Sequence, residues 1–324
     1  MRCLPMSRRG GLLLLACLLG VLPFADARAD EPSPLDLVTN SRRILFLGDS
    51  ITYGGDYIAA FDAWLTTKRL KSAPVVIGCG LPSETVSGLS EEGHAGGKFP
   101  RPVLSERLDR VLTVVEPDLV FACYGINCGI YEPLDEARFA KYREGFTALR
   151  DRVIKTGARF VAVTPPFYDD LRAPKKFSYN GVLDKYSDWL IGRRTEGWTV
   201  IDLHHAMTAE VLRRRETNPT FTFQPDGVHP NAEGQWYVAS RLIAWCGDEE
   251  GAKAKDAESL MAAKGASPEL LKLCRERFAL RRDAYVGAAG HLRPGVGKGL
   301  PLPEAEAKAK ELTARIADVL AAKK

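Results

Sequence analysis

Three polar blocks, far apart in the chain, carry residue types that can do nucleophilic chemistry together. The first is Gly48-Asp49-Ser50, set between the apolar run 43–47 and the turn Ile51-Thr52-Tyr53-Gly54, so the serine stands where a buried strand bends toward a helix. A serine hydroxyl is a weak nucleophile at neutral pH and needs a general base within hydrogen-bond reach, itself oriented by an acceptor. The chain has five histidines, His94, His204, His205, His229 and His291, and His229 is distinguished by the run Asp226-Gly227-Val228-His229-Pro230. That spacing lets Asp226 accept the proton on one ring nitrogen while the other faces the serine. The third block, Tyr124-Gly125-Ile126-Asn127, ends an apolar run and offers a side-chain amide. Such an amide can donate to the oxyanion of a tetrahedral acyl intermediate, an interaction worth ~3 kcal/mol. Each block also has a bland reading: Asp226 as a helix cap, Asn127 and Ser50 as turn residues.

The elements that must position these blocks are legible from hydrophobic patterning. Short apolar, β-branched runs at 43–47, 74–77, 119–124, 159–164 and 199–203 predict strands. Helical spacing at 57–70, 103–115, 134–156, 179–194 and 231–245 predicts the helices between and after them. This alternation is the signature of βα units on a parallel sheet covered on both faces, an α/β domain over residues 30–247. Ligands of open α/β sheets bind at the carboxyl ends of the strands, where Ser50 and Asn127 both fall. The loop after the second strand, Gly78-Cys79-Gly80-Leu81-Pro82-Ser83-Glu84-Thr85, reaches the same edge, and a backbone N–H there is a further candidate oxyanion donor.

Serine, loop N–H, asparagine and Asp-x-x-His, in this order, resemble the SGNH hydrolase family, also called GDSL esterases and lipases. The resemblance rests on Ser50, Asn127, Asp226 and His229 and spans almost all of 36–247. It implies a three-layer α/β/α, flavodoxin-like fold with Ser50 as nucleophile, His229 as base and Asp226 as its orienting acid. It also implies an oxyanion hole of the Ser50 N–H, the Ser83 N–H and the Asn127 amide, with no metal and no cofactor. Two positions depart from the family pattern. Ser83 stands where the second block has glycine, which serves if its backbone conformation is ordinary, and Cys128 stands where the Gly-x-Asn-Asp pattern has aspartate. Asp49, Gly80, His94, Tyr124 and Pro166 are further candidates for substrate contact, with Lys98 and Arg101 on the long loop that follows.

The first 29 residues read as a secretory leader: Arg2, Arg8 and Arg9, an apolar stretch over 10–24, and small-x-small sites ending at Ala27 and Ala29, with cleavage expected after Ala29. Without the leader the formal net charge falls from +4 to +1, because Arg2, Arg8, Arg9 and Arg28 depart with Asp26. No basic stripe argues for a nucleic-acid partner, and no other stretch is apolar enough for a membrane span. The expected partner is a small-molecule or carbohydrate ester, met in the periplasm or outside the cell. Five cysteines remain, so at least one thiol is unpaired in a monomer; Cys246 with Cys274 is the one pairing considered for a disulfide. Residues 248–324 form a separate helical extension, expected to pack on the main domain because Leu270, Leu273, Phe278, Leu280 and Tyr285 are too apolar for water. The reading is an exported serine esterase acting on a short-chain ester, carbohydrate O-acetyl groups in particular. A longer-chain lipase or thioesterase and a non-catalytic carbohydrate-binding protein on a degenerate scaffold are the rivals.

Overall fold

A computed structural model describes residues 32–322, with Met1, Arg2 and Leu4. The leader expected over 1–29 therefore lies outside the described residues, those three apart. Five strands, β1 (Arg43–Gly48), β2 (Val75–Gly78), β3 (Leu119–Cys123), β4 (Arg159–Val163) and β5 (Thr199–Ile201), form a sheet ordered β2-β1-β3-β4-β5. Every pairing is parallel, with Leu45 opposite Val120 and Phe121 opposite Val161. The strands are almost continuously buried because helices cover both faces, and Phe46 stacks on Phe121 across the β1–β3 seam at 4.8 Å between ring centroids.

The helices that matter for the site follow from local sequence. α1 (Pro34–Thr39) is capped by Ser33. Asp49 caps α2 (Ser50–Gly54), which gives way at Gly55 to α3 (Asp56–Thr66). The helix expected over 103–115 begins instead as a 3-10 turn, Leu104–Glu106, and becomes α4 (Leu108–Val115) only after Arg107, whose φ of −120° breaks the run so that its side chain can turn inward. α5 (Glu136–Lys155) and α6 (Tyr179–Gly192) are capped by Asp135 and Ser178. β5 stops short of Leu203 because the Leu203 and His204 N–H groups donate to Thr164 Oγ1, at 2.9 and 2.8 Å, and start α7 (His204–Arg215). α8 (Ala232–Trp245) then enters through an Asn231 cap.

In this strand order β1 is flanked by β2 on one side and β3 on the other, so the crevice at the carboxyl ends of β1 and β3 is the topological switch point where ligands of doubly wound sheets bind. Gly48 is required there. A Cβ on it would lie 2.1 Å from Thr52 Oγ1 and 2.8 Å from the Cys123 carbonyl oxygen, so only glycine lets β1 turn into α2 beside β3.

Beyond α8, the charged, Ala-rich stretch forms two short helices, α9 (Glu249–Ala252) and α10 (Ala257–Ala263), ahead of α11 (Pro268–Ala289) and α12 (Leu302–Ala321). Residues from Pro32 onward form one compact unit, with α11 lying against α3 and β2. The Phe278 ring occupies the space that side chains at Gly55 and Gly78 would take. Arg277 pairs with Asp62 at 2.7 Å in the buried α11–α3 contact, and Arg275 pairs with Asp56 at its edge. Cys246 and Cys274 are both buried free thiols rather than a disulfide, and Cys79, Cys123 and Cys128 are also free.

Candidate active site

Ser50 is the first residue of α2, so its N–H is one of the donors that no helical carbonyl reaches. Its Oγ lies 2.8 Å from His229 Nε2, and His229 Nδ1 lies 2.7 Å from Asp226 Oδ2. The other carboxylate oxygen accepts the backbone N–H groups of Val228 and His229, at 2.9 and 2.7 Å. One oxygen therefore shapes the loop and the other holds the ring. Burial pushes the Asp226 carboxyl up, but the His229 ring and the two N–H donors outweigh it and keep it below the usual carboxylate range. An ionised Asp226 retains the proton on Nδ1 and leaves Nε2 free to accept from Ser50. The His229 and Asp226 side chains are 52% and 57% exposed, so the site opens directly to solvent.

Asp49, expected as a substrate contact, is instead buried beneath the serine, accepting the Ile51 N–H at 3.0 Å. Burial raises its pKa to about 6, partly offset by that N–H and by the charge of His229. The folded protein thus holds this proton to a higher pH than the unfolded chain, whose aspartates ionise near ~4. The stabilisation is complete below about pH 4 and is lost as pH rises through about 6. A displacement of this size corresponds to about 3 kcal/mol. Wild-type stability in urea, measured relative to Asp49→Asn, is therefore expected to fall by about 2–3 kcal/mol between pH ~4 and ~7. A pH-independent difference would refute the raised pKa.

The oxyanion candidates sit on two adjoining loops. Gly80 is a packing position rather than a ligand contact: a Cβ there would meet the Tyr53 nitrogen at 2.3 Å and the Asp49 carbonyl oxygen at 2.8 Å. It lets the 79–85 loop lie directly on α2. Ser83 does not have an ordinary backbone conformation. Its φ is +68°, in the left-handed region that suits the glycine it replaces, at a cost of order 1 kcal/mol. Among the described residues its N–H has no hydrogen-bond acceptor. Asn127 is buried, and its Oδ1 accepts from Arg101 Nη1 at 2.9 Å and from the Tyr131 hydroxyl at 3.0 Å. These donors fix which end of the amide is nitrogen, and Nδ2 makes only a long contact, 3.5 Å, to the Glu84 carbonyl. Arg101 is itself gripped by both carboxylate oxygens of Glu91, at 2.6 Å each, and lies over the Tyr131 ring. Expected among the loop residues that could touch substrate, Arg101 is instead mostly buried and holds Asn127.

Below these loops lies a charged cluster that sequence reasoning missed. Glu84, fully buried, binds Arg107 through two bonds of 2.6 and 2.7 Å and accepts the Tyr124 hydroxyl at 2.6 Å. Arg107 also donates to the Cys79 carbonyl at 2.7 Å. Tyr124 is thus a buried support and not a ligand contact, and Pro166 lines a small apolar recess with Ile51, Tyr57 and Val163. Cys128 is buried, its sulfur facing the N–H groups of Val86 and Ser87, and burial raises its thiol to about 12. Ser87 donates to the Cys128 carbonyl at 3.1 Å. The loops therefore stay tied together with a neutral thiol where the family has aspartate. His94, expected as a substrate contact, instead pairs with Glu91 at 3.3 Å and packs edge-on against Phe99. Among the described residues no group of three or more His, Cys, Asp or Glu side chains is placed to hold a metal ion.

A doubly wound sheet carries a Ser–His–Asp chain at its switch point, and with the chain's family match this defines an ester hydrolase. The chain belongs to the GDSL-like Lipase/Acylhydrolase family, which it matches over residues 46–237, and it is an SGNH hydrolase. Among curated proteins none matches it. Among solved structures it is similar to a gut microbial diltiazem-metabolizing enzyme, at 20% identity and a TM-score of 0.53 over 64% of this chain and 47% of that one. The acetyl xylan esterase AlAXEase is similar at 21% identity and a TM-score of 0.50, over 62% of this chain and 98% of that one. A variant of Axe2, an acetyl xylan esterase from Geobacillus stearothermophilus, is similar at 19% identity and a TM-score of 0.50, over 65% and 97%. At these identities the likeness concerns the fold.

Proposed function

We propose that the protein is an exported serine esterase that removes short acyl groups, carbohydrate O-acetyl groups in particular. The observation that carries this reading is the continuous chain from Ser50 Oγ through His229 to Asp226, with bonds of 2.8 and 2.7 Å. Ser50 attacks the ester carbonyl while His229 Nε2 takes its proton, forming a tetrahedral oxyanion received by the Ser50 N–H, the Ser83 N–H and Asn127 Nδ2. Collapse expels the alcohol, which leaves with the proton from His229, and the acyl group remains on Ser50. Water then attacks the acyl-enzyme, gives its proton to His229, and the proton returns to Ser50 as the acid departs. Asp226 orients the ring and offsets the charge of the imidazolium.

The openness of the site favours a small acyl group on a hydroxyl-rich alcohol over a long apolar chain. The leader over 1–29 supports export, and the acetyl xylan esterases of like fold support a carbohydrate ester. Initial rates on aryl acetate, butyrate, hexanoate and octanoate test the acyl preference. A maximum at acetate or butyrate is expected, and a maximum at octanoate would make the enzyme a lipase or thioesterase. Acetate release from acetylated xylan tests the alcohol side.

A further inference from the structure

Two of the three amides proposed to receive the oxyanion, the Ser83 N–H and the Asn127 side chain, are held at their carbonyl ends by a guanidinium, and one of these comes from outside the family-matched region. The C-terminal end of α11 is anchored to the main domain by Arg110, whose Nε donates to the Ala289 carbonyl at 2.7 Å. Three residues beyond Gly290, Arg293 Nε donates to the Pro82 carbonyl at 2.8 Å, and its guanidinium lies 5.4 Å from the Phe99 ring centroid. Arg293 Nη1 turns back to the Pro294 carbonyl at 2.6 Å, so the side chain is fixed at both ends of its fork. The Pro82 carbonyl and the Ser83 N–H belong to one peptide unit. No peptide bond among the described residues is cis, so the two groups point in opposite directions. A charged donor on the carbonyl therefore sets where the N–H faces and draws electron density away from it, strengthening it as a donor.

We propose that Arg293 of the C-terminal extension is a positioning residue for the oxyanion hole, acting through the Pro82–Ser83 peptide as Arg101 acts through the Asn127 amide. The left-handed φ of Ser83 gives this clamp its purpose. Glycine holds that conformation freely, whereas serine favours relaxation to negative φ, which would swing the N–H away from the site. Arg101 Nη1 also reaches the Ser83 carbonyl, at 3.4 Å, so both peptides flanking Ser83 are restrained by cations.

This rests on the serine-esterase reading, and the experiment keeps the two apart. The full mature chain is first treated with an organophosphonate, and the adduct is located by mass spectrometry. Absence of an adduct on Ser50 overturns the esterase reading and this inference with it. Losing an oxyanion donor outright costs about 10²- to 10³-fold in kcat, so loosening one is expected to cost about 10-fold. Arg293→Ala should thus lower kcat on an aryl acetate about 10-fold with KM within about 2-fold, and added guanidinium should restore part of the rate. In a Ser83→Gly background the same substitution should cost less, because glycine needs no clamp. With Ser50 labelled in the wild type, an unchanged kcat in Arg293→Ala would overturn the inference. So would a loss that guanidinium does not rescue and Ser83→Gly does not diminish, since that is what general destabilisation of the tail produces.

Discussion

Ser50→Ala is expected to lower kcat on an aryl acetate by about 10⁴- to 10⁶-fold while leaving the melting temperature close to that of the wild type. The Ser50 hydroxyl makes one side-chain bond, to the half-exposed His229, so its loss leaves no buried group unpaired. His229→Ala is expected to cost as much, and the double variant little more, because nucleophile and base act as one unit. Side-by-side rates for the three variants, with acetate release as a second readout, test the assignment. A Ser50→Ala protein as active as the wild type would remove the mechanism, and strictly additive losses would show that the two residues act independently.

The largest expected effect on stability comes from Arg107→Met. This substitution leaves the Glu84 carboxylate fully buried without its cation and frees the Cys79 carbonyl. Breaking a buried pair from one side costs about 3–5 kcal/mol, which lowers Tm by about 10 °C in a domain of this size. Glu84→Gln combined with Arg107→Met should recover part of the loss, because the isolated charge is then gone. Thermal unfolding followed by circular dichroism reads both. A shift below about 2 °C in Arg107→Met would show that water reaches Glu84 and that the pair contributes little. Because the pair supports the loop bearing Ser83, activity should fall in the single variant even below its melting transition.

The strands and the Ser50, Asn127 and Asp226–His229 blocks were legible because their signals are local. Apolar runs end at glycines, and three-residue spacing puts a carboxylate beside a histidine. What escaped notice depends on contacts made across the fold. Glu84 reads as one polar residue in a loop until Arg107 and Tyr124 close on it. Arg101 stands in a Gly-rich stretch whose composition suggests a solvated loop, and only the Glu91 and Asn127 contacts reveal its place. Asp49 belongs to the most recognisable motif in the chain, yet its cap of α2 and its burial point it away from any ligand. Whether serine can stand for glycine at position 83 depends on φ, which no residue identity states. The structure answers it with a positive value and with arginines on the neighbouring carbonyls.

The Phe278 ring that replaces side chains at Gly55 and Gly78 also bears on how the chain is made. β2 is an edge strand, and the helix lying against it is synthesised well after all five strands. An N-terminal portion emerging from the ribosome or a translocation channel can pair its strands, but one flank stays greasy and uncovered until residues near 290 arrive. Fragments cut at the end of the family-matched region would keep that flank bare permanently. They should associate with one another rather than fold as smaller versions of the enzyme.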